Sequence, residues 1–204
     1  KSIFPVLTPL AVDASHPFPQ LLNKSANLLF LLRRPGHSQI THGIVQLPRL
    51  FDRLLRIDPA GDRSRHHFVL LRSLIRRHAA ALFPGCEILG SYALRVTRNS
   101  DLYFDDEEAE NLLRTIEHEL RKRSQGKAVR LEVEAGCPPE VERMLLDTFG
   151  LEERDLYRLQ GPMTLTDLLA LYAIDAPQFK DRPFYPAPDL ALPPESDAFG
   201  VMRR

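Results

Sequence analysis

Tryptophan is absent from this 204-residue chain, cysteine occurs twice, and the formal net charge is zero. No apolar run approaches the ~20 residues that a bilayer-spanning helix needs. The run 28–32 has the length of a buried strand. The glycine-rich phosphate loop GxxxxGK[ST], the dinucleotide fingerprint GxGxxG, the HExxH zinc helix and the GxSxG nucleophile elbow are all missing. Their absence excludes the sequence-readable forms of nucleotide cradle, zinc hydrolase and serine hydrolase. Cys86 and Cys137 lie outside any CxxC spacing. They read as two reduced thiols of a cytoplasmic protein, with a disulfide or ligand pair as the alternative. His37, His42, His66 and His67 invite a metal site, but no cysteine or carboxylate cluster stands near them in sequence, so solvent and loop roles are expected. The acids at 105–108 lack the calcium-loop pattern and suit a helix start. Residue order alone supports no Ser-His-Asp arrangement. No metal site is expected in this chain.

What is present is an ordinary globular composition, 44% hydrophobic and 26% charged, with 17 prolines. The length fits one large domain or two small ones, enough to bury a core without disulfides. The chain starts at Lys1 and shows no leader, so it reads as a piece of a longer protein. Charge is unevenly spread. From Arg33 to Arg98 there are twelve arginines and four acids; from Asn99 onward there are 13 basic and 22 acidic residues. Arginine supplies 22 of the 27 basic residues, and its planar fork is the better bidentate partner for phosphate and carboxylate. Two readings follow: salt bridges between a basic and an acidic half, or an anion-facing surface.

Two proline-rich stretches, 4–20 and 176–197, are expected to be extended and irregular, because proline fixes φ and removes a donor. Between them, 27–33, 42–47, 86–97, 128–135 and 155–159 read as strands. Segments 70–83, 105–123, 139–149 and 164–173 read as helices. The helix at 105–123 carries acids in its first turn and Arg121, Lys122 and Arg123 in its last, which suits the helix dipole. The expected fold is α/β in the broad sense (α+β): a mixed sheet with helices packed on it and proline-rich extended segments at both ends. A purely parallel sheet is disfavoured because the first strands have no helix between them.

In the strand 86–97 a period of two puts Ile88, Gly90, Tyr92, Leu94 and Val96 on the core face and Arg95 and Thr97 on the other. In 128–135, Val129, Leu131 and Val133 face the core, and Arg130, Glu132 and Glu134 face away. Arg98 shares parity with the core residues but lies where the strand ends. Arg95, Arg98 and Arg130 are the candidate site residues. They form either an ion-pair lattice with the glutamates or a wall that meets anion or another domain.

The segments FPVLTPLAVDASHPFPQLLNKSANL (4–28), LFPGCEILGSYALRVTRNSDL (82–102), DDEEAENLLRTIEHELRKRSQGKAVRLEVEA (105–135) and LYRLQGPMTLTDLLAL (156–171) together resemble the bacterial polyphosphate kinase family that works through a phosphorylated histidine. They look like its middle, or head, domain. Departures are small: Leu94 stands where an aromatic is common, Ser100 where alanine is, Arg72 where an acid is usual. Lys24 and Ala26 are less apolar than the family pattern, and the lead-in to 128–135 is less basic. The resemblance implies a parent transferase, a phosphoprotein that reversibly moves the ATP γ-phosphate onto polyphosphate with Mg²⁺. The histidine, ATP and metal contacts are expected in other domains, and no cofactor is expected here. The implied division is a middle domain over 1–190, then 191–204 as linker or start of a phospholipase-D-like domain. Expected partners are the other domains of the parent, a second copy in a homo-oligomer, and polyphosphate, but not nucleic acid. The alternative is a stand-alone anion- or nucleic-acid-binding or dimerisation module, against which zero net charge and the lack of any nucleic-acid-binding signature speak.

Overall fold

Residues 28–32 have no polar face, which suits a strand buried on both sides. In the computed structural model, which describes residues 3–13, 16–57, 66–99, 126–185 and 199, they lie inside such a strand. Strands β1 (Pro9–Val12), β2 (Ala26–Arg33), β3 (Ile40–Gln46), β6 (Glu87–Arg98), β7 (Ala128–Glu134) and β8 (Leu156–Leu159) form one sheet. Its order is β1-β3-β2-β6-β7-β8. Every pairing is antiparallel except β7 with β8. That parallel step needs a crossover, and helix α2 (Pro139–Phe149) supplies it. Strands β4 (Leu54–Ile57) and β5 (His67–Leu70) form a separate hairpin that runs directly into helix α1 (Leu71–Arg77). The mixed sheet with packed helices is the fold expected.

Each face of the sheet has its own core. On one, Val141, Leu145 and Leu146 of α2 pack on Leu29, Leu31, Leu94, Val96, Leu131 and Val133. On the other, Leu71 and Ile75 of α1 pack with Leu82 and Phe83 on Leu28, Phe30, Leu32 and Ala93. The period-of-two reading of a single core face is therefore corrected. The face carrying Arg95, Glu132 and Glu134 has a core as well, where α1 packs and Arg76 reaches Glu134, while Arg130 toward the β8 edge stays 42% exposed. A second correction concerns β6. Leu31 pairs with Gly90 but Leu32 pairs with Ile88, so Leu89 is an extra residue. The bulge reverses the alternation: Tyr92, Leu94 and Val96 belong to the α2 side, and Ile88 packs on the α1 side. In β7, Thr97 pairs with Arg130 and Arg98 with Ala128, which leaves Val129 exposed rather than in the core.

Helix α1 is shorter than the 70–83 expected. Leu70 pairs with Leu54 in the hairpin. After Arg77 the chain tightens into a 3₁₀ turn, Ala79–Ala81, that swings Leu82 and Phe83 onto the sheet. Phe83 lies over Gly43, where an added Cβ would stand 2.6 Å from its ring. The first proline-rich stretch is more regular than expected. Pro5 sits in a 3₁₀ turn, Phe4–Val6, and Pro9 heads the edge strand β1, a position where its missing N–H costs no ladder bond. Segment 164–173 is a 3₁₀ helix, Leu165–Ala173. The helix expected at 105–123 lies outside the described residues.

The chain divides into two compact units, Lys1–Ala170 and Leu171–Arg204. In the second, a short 3₁₀ turn runs from Pro177 to Phe179 and Lys180 lies 4.9 Å from the Tyr172 ring centroid. No described helix is long and apolar enough to cross a membrane.

Candidate functional site

The β6–β7 register sets Arg95 opposite Glu132 and Thr97 opposite Arg130, all on the α1 side. Glu132 is almost fully buried, its side chain 3% exposed. An isolated carboxylate there would be costly; this one serves two arginines. Arg95 donates through Nη2 to Oε1 at 2.8 Å and through Nε to Oε2. Arg130 donates through Nη2 to Oε1 at 2.9 Å. Burial pushes the Glu132 carboxyl up, but the bonds and charges of Arg95 and Arg130 outweigh it and hold the group below the usual carboxylate range. The same bond raises Arg95 above its ordinary value.

The parallel β7–β8 pairing brings Tyr157 beside Glu132. The Arg130 guanidinium crosses diagonally onto that ring, its Cζ 3.8 Å from the centroid. Two residues along β7, Glu134 faces the same way and receives α1. Arg76 donates through Nη1 to Oε1 at 2.9 Å and through Nη2 to Oε2, and the Ala93 amide donates to Oε2 at 3.0 Å. Burial works upward on Glu134, but Arg76 and the Ala93 amide lower it.

One turn before Arg76, Arg72 donates through Nη2 to the Gly161 carbonyl at 2.9 Å. Arg53 donates to the Pro48 and Leu47 carbonyls at 2.9 and 3.2 Å. Both arginines, with Arg95, act on Asp167, whose carboxyl is pushed up by burial against their pull. Asn27, Arg53, Arg72 and Asp167 border a cavity of about 20 Å³, the room of one water. Buried Asn27 Oδ1 and Arg72 Nη1 are without partners there.

Arg98 is not part of this group. It lies on the α2 side, where Nε donates to the Leu21 carbonyl and Nη1 to the Gly126 carbonyl, both at 3.0 Å. Its Cζ is 6.0 Å from the Phe149 ring centroid, and burial lowers its pKa. It clamps the segment before β2 and the lead-in to β7 against the end of α2. The structure thus joins Arg95 with Arg130 and separates both from Arg98.

Sequence reasoning missed Tyr157, Arg76, Arg72 and Asp167 as members of this face. Tyr157 was legible as one position of a short strand, but its neighbour across the sheet was not. Arg76 and Arg72 share a helical face at i, i+4 spacing, a usable signal. His42 sits within β3, not in a loop, and its burial lowers its pKa. Both cysteines are unpaired thiols. Burial, with Glu142 nearby, pushes Cys137 up to about 12. Among the described residues no three His, Cys, Asp or Glu side chains gather where they could hold a metal ion.

A family model described as the polyphosphate kinase middle domain matches residues 1–171. The polyphosphate kinase of Thermosynechococcus vestitus is 42% identical over 187 residues, covering 90% of this chain and 26% of that protein. That of Pseudomonas aeruginosa is 38% identical over 205 residues, covering 99% of this chain and 30% of that protein. The crystal structure of polyphosphate kinase from Porphyromonas gingivalis has the same fold, with a TM-score of 0.68 at 19% identity over 92% of this chain and 26% of that one. The chain therefore spans 26% and 30% of the length of the two relatives it matches by sequence.

Proposed function

We infer, from the fact that this chain belongs to the polyphosphate kinase family as its middle domain, that it works within a larger ATP:polyphosphate phosphotransferase. In that enzyme the terminal phosphate of ATP passes reversibly to polyphosphate through a phosphohistidine, with Mg²⁺. Histidine, nucleotide and metal are held by other domains of the parent, and the boundary of the middle domain is proposed near 190/191, with 191–204 as linker or start of the next domain. The chain contributes no bond-making group. Its part is to present an arginine-bearing wall to the polyanion and to contact other domains or a second copy of the parent. Reduced Cys86 and Cys137 suit a cytoplasmic setting.

The observation that carries the wall is the pair Arg95 and Arg130 on a single carboxylate, Glu132. Two guanidiniums against one carboxylate leave positive charge beside a half-exposed Arg130. Polyphosphate resembles a nucleic-acid backbone in charge density, so its grip is electrostatic and sensitive to salt. Arg98 belongs to the proposal on the opposite face, as a contact-side residue. The interface role draws support from exposed Val6, Leu10 and Leu22 around a groove beside the edge strand β1. The test is replacement of Arg95 and Arg130 by alanine in the full-length enzyme. The expected result is a raised KM for polyphosphate that grows with salt. An unchanged KM together with lost folding returns both residues to internal ion pairing alone.

A further inference from the structure

We propose that Tyr157 is a positioning residue whose ring holds the Arg130 guanidinium flat, so that the arginine's terminal N–H groups meet a phosphoryl oxygen of polyphosphate. The proposal rests on the reading that this sheet face meets the polyanion, and it singles out one arginine among the three candidates. Arg95 has Nε and Nη2 committed to Glu132 and a side chain only 22% exposed. Arg98 has Nε and Nη1 committed to main-chain carbonyls. Arg130 gives Glu132 a single bond from Nη2, and its side chain is 42% exposed.

A guanidinium binds in two perpendicular ways. Its flat face stacks on an aromatic ring, and its hydrogen bonds leave in the plane. The contact with Tyr157 therefore fixes the plane without consuming a donor, whereas a second carboxylate would consume one edge. Glu132 sets the rotation within that plane by holding Nη2. Nε is buried, so Nη1 and the second Nη2 hydrogen are the donors left to face outward. Two contacts at right angles thus pre-orient a long, flexible side chain and reduce the ordering it must undergo on binding. Tyr157 is itself 44% exposed on the edge strand β8, so its ring is not a core element of the sheet.

The test compares Tyr157→Phe, Tyr157→Leu, Tyr157→Ala, Arg130→Gln and the double variant Tyr157→Ala/Arg130→Gln in the full-length kinase. Steady-state kinetics are measured with polyphosphate and nucleotide varied separately. The expected result is a polyphosphate KM unchanged by Phe and raised about two- to fivefold by Leu and by Ala. Values of kcat and nucleotide KM should be unchanged, and the double variant should have a polyphosphate KM no higher than that of Arg130→Gln. A Leu variant equal to the parent overturns the proposal, since any apolar side chain then suffices. So does a double variant worse than Arg130→Gln, or a nucleotide KM that moves while the polyphosphate KM does not. If Arg130→Gln itself leaves the polyphosphate KM unchanged, the reading of the face falls too. If Arg130→Gln acts and Tyr157→Leu does not, only the role of Tyr157 falls.

Discussion

Arg76 of α1 and Glu134 of β7 close a two-pronged ion pair that fastens the helix to the sheet, and the Ala93 amide bonds the same carboxylate. Both side chains are about three-quarters buried, at 24% and 22% exposure. A double-mutant cycle with Arg76→Ala and Glu134→Gln, read by urea denaturation, is expected to give a coupling of about 1–2 kcal/mol. Coupling near zero would reduce the pair to a solvated surface contact.

Glu132 offers a sharper case. Glu132→Gln leaves Arg95 and Arg130 without their counter-charge in a covered site, and a loss of about 2–4 kcal/mol is expected. The pH dependence has a definite sign. Glu132 and Glu134 are both held below their ordinary value of 4.5. Their contribution is complete above that value and is lost as pH falls through the lowered folded-state values. Equilibrium unfolding between pH 7 and the acid limit should show stability declining below about pH 4.5, and less steeply in Glu132→Gln.

Gly43 faces the Phe83 ring at a distance no side chain tolerates. Gly43→Ala should cost about 1–3 kcal/mol by overpacking. The compensating change Phe83→Leu in the same chain should recover part of that loss, as measured by Tm of the single and double variants.

Arg98 and Arg130 should part company. Arg98→Ala removes donors from the Leu21 and Gly126 carbonyls, so it should lower Tm while leaving the polyphosphate KM of the full-length enzyme alone. Arg130→Gln should raise that KM.

The two thiols should differ as well. Cys137 is buried and pushed up to about 12, and Cys86 is half-buried. At pH 8 a thiol reagent should modify Cys86 first, and Cys137 should react only after denaturant is added.

The strands around 27–33, 42–47, 86–97 and 128–135 were readable because apolar composition and alternation are local signals. The hairpin of Leu54–Ile57 with His67–Leu70 was not, since neither four-residue strand alternates clearly and their pairing depends on contact across the chain. Arg95, Arg130, Glu132 and Glu134 were placed on one side of the sheet, with an ion-pair lattice among them as one of two readings, and the pairs on Glu132 are of that kind. The reach of Arg76 from α1 to Glu134 was not legible, because alternation along a strand says nothing of which helix packs across it. The partnership of Arg130 with Tyr157 depends on the parallel register of β7 and β8, which only the assembled sheet sets.

The extra residue at Leu89 gives the alternate residues of β6 two addresses: Ile88 seals one hydrophobic layer, and Tyr92, Leu94 and Val96 seal the other. Deleting Leu89 would act like a frameshift written in three dimensions. Either Ile88 or the stretch from Tyr92 to Val96 would be turned out of its layer, though the composition of the strand would scarcely change.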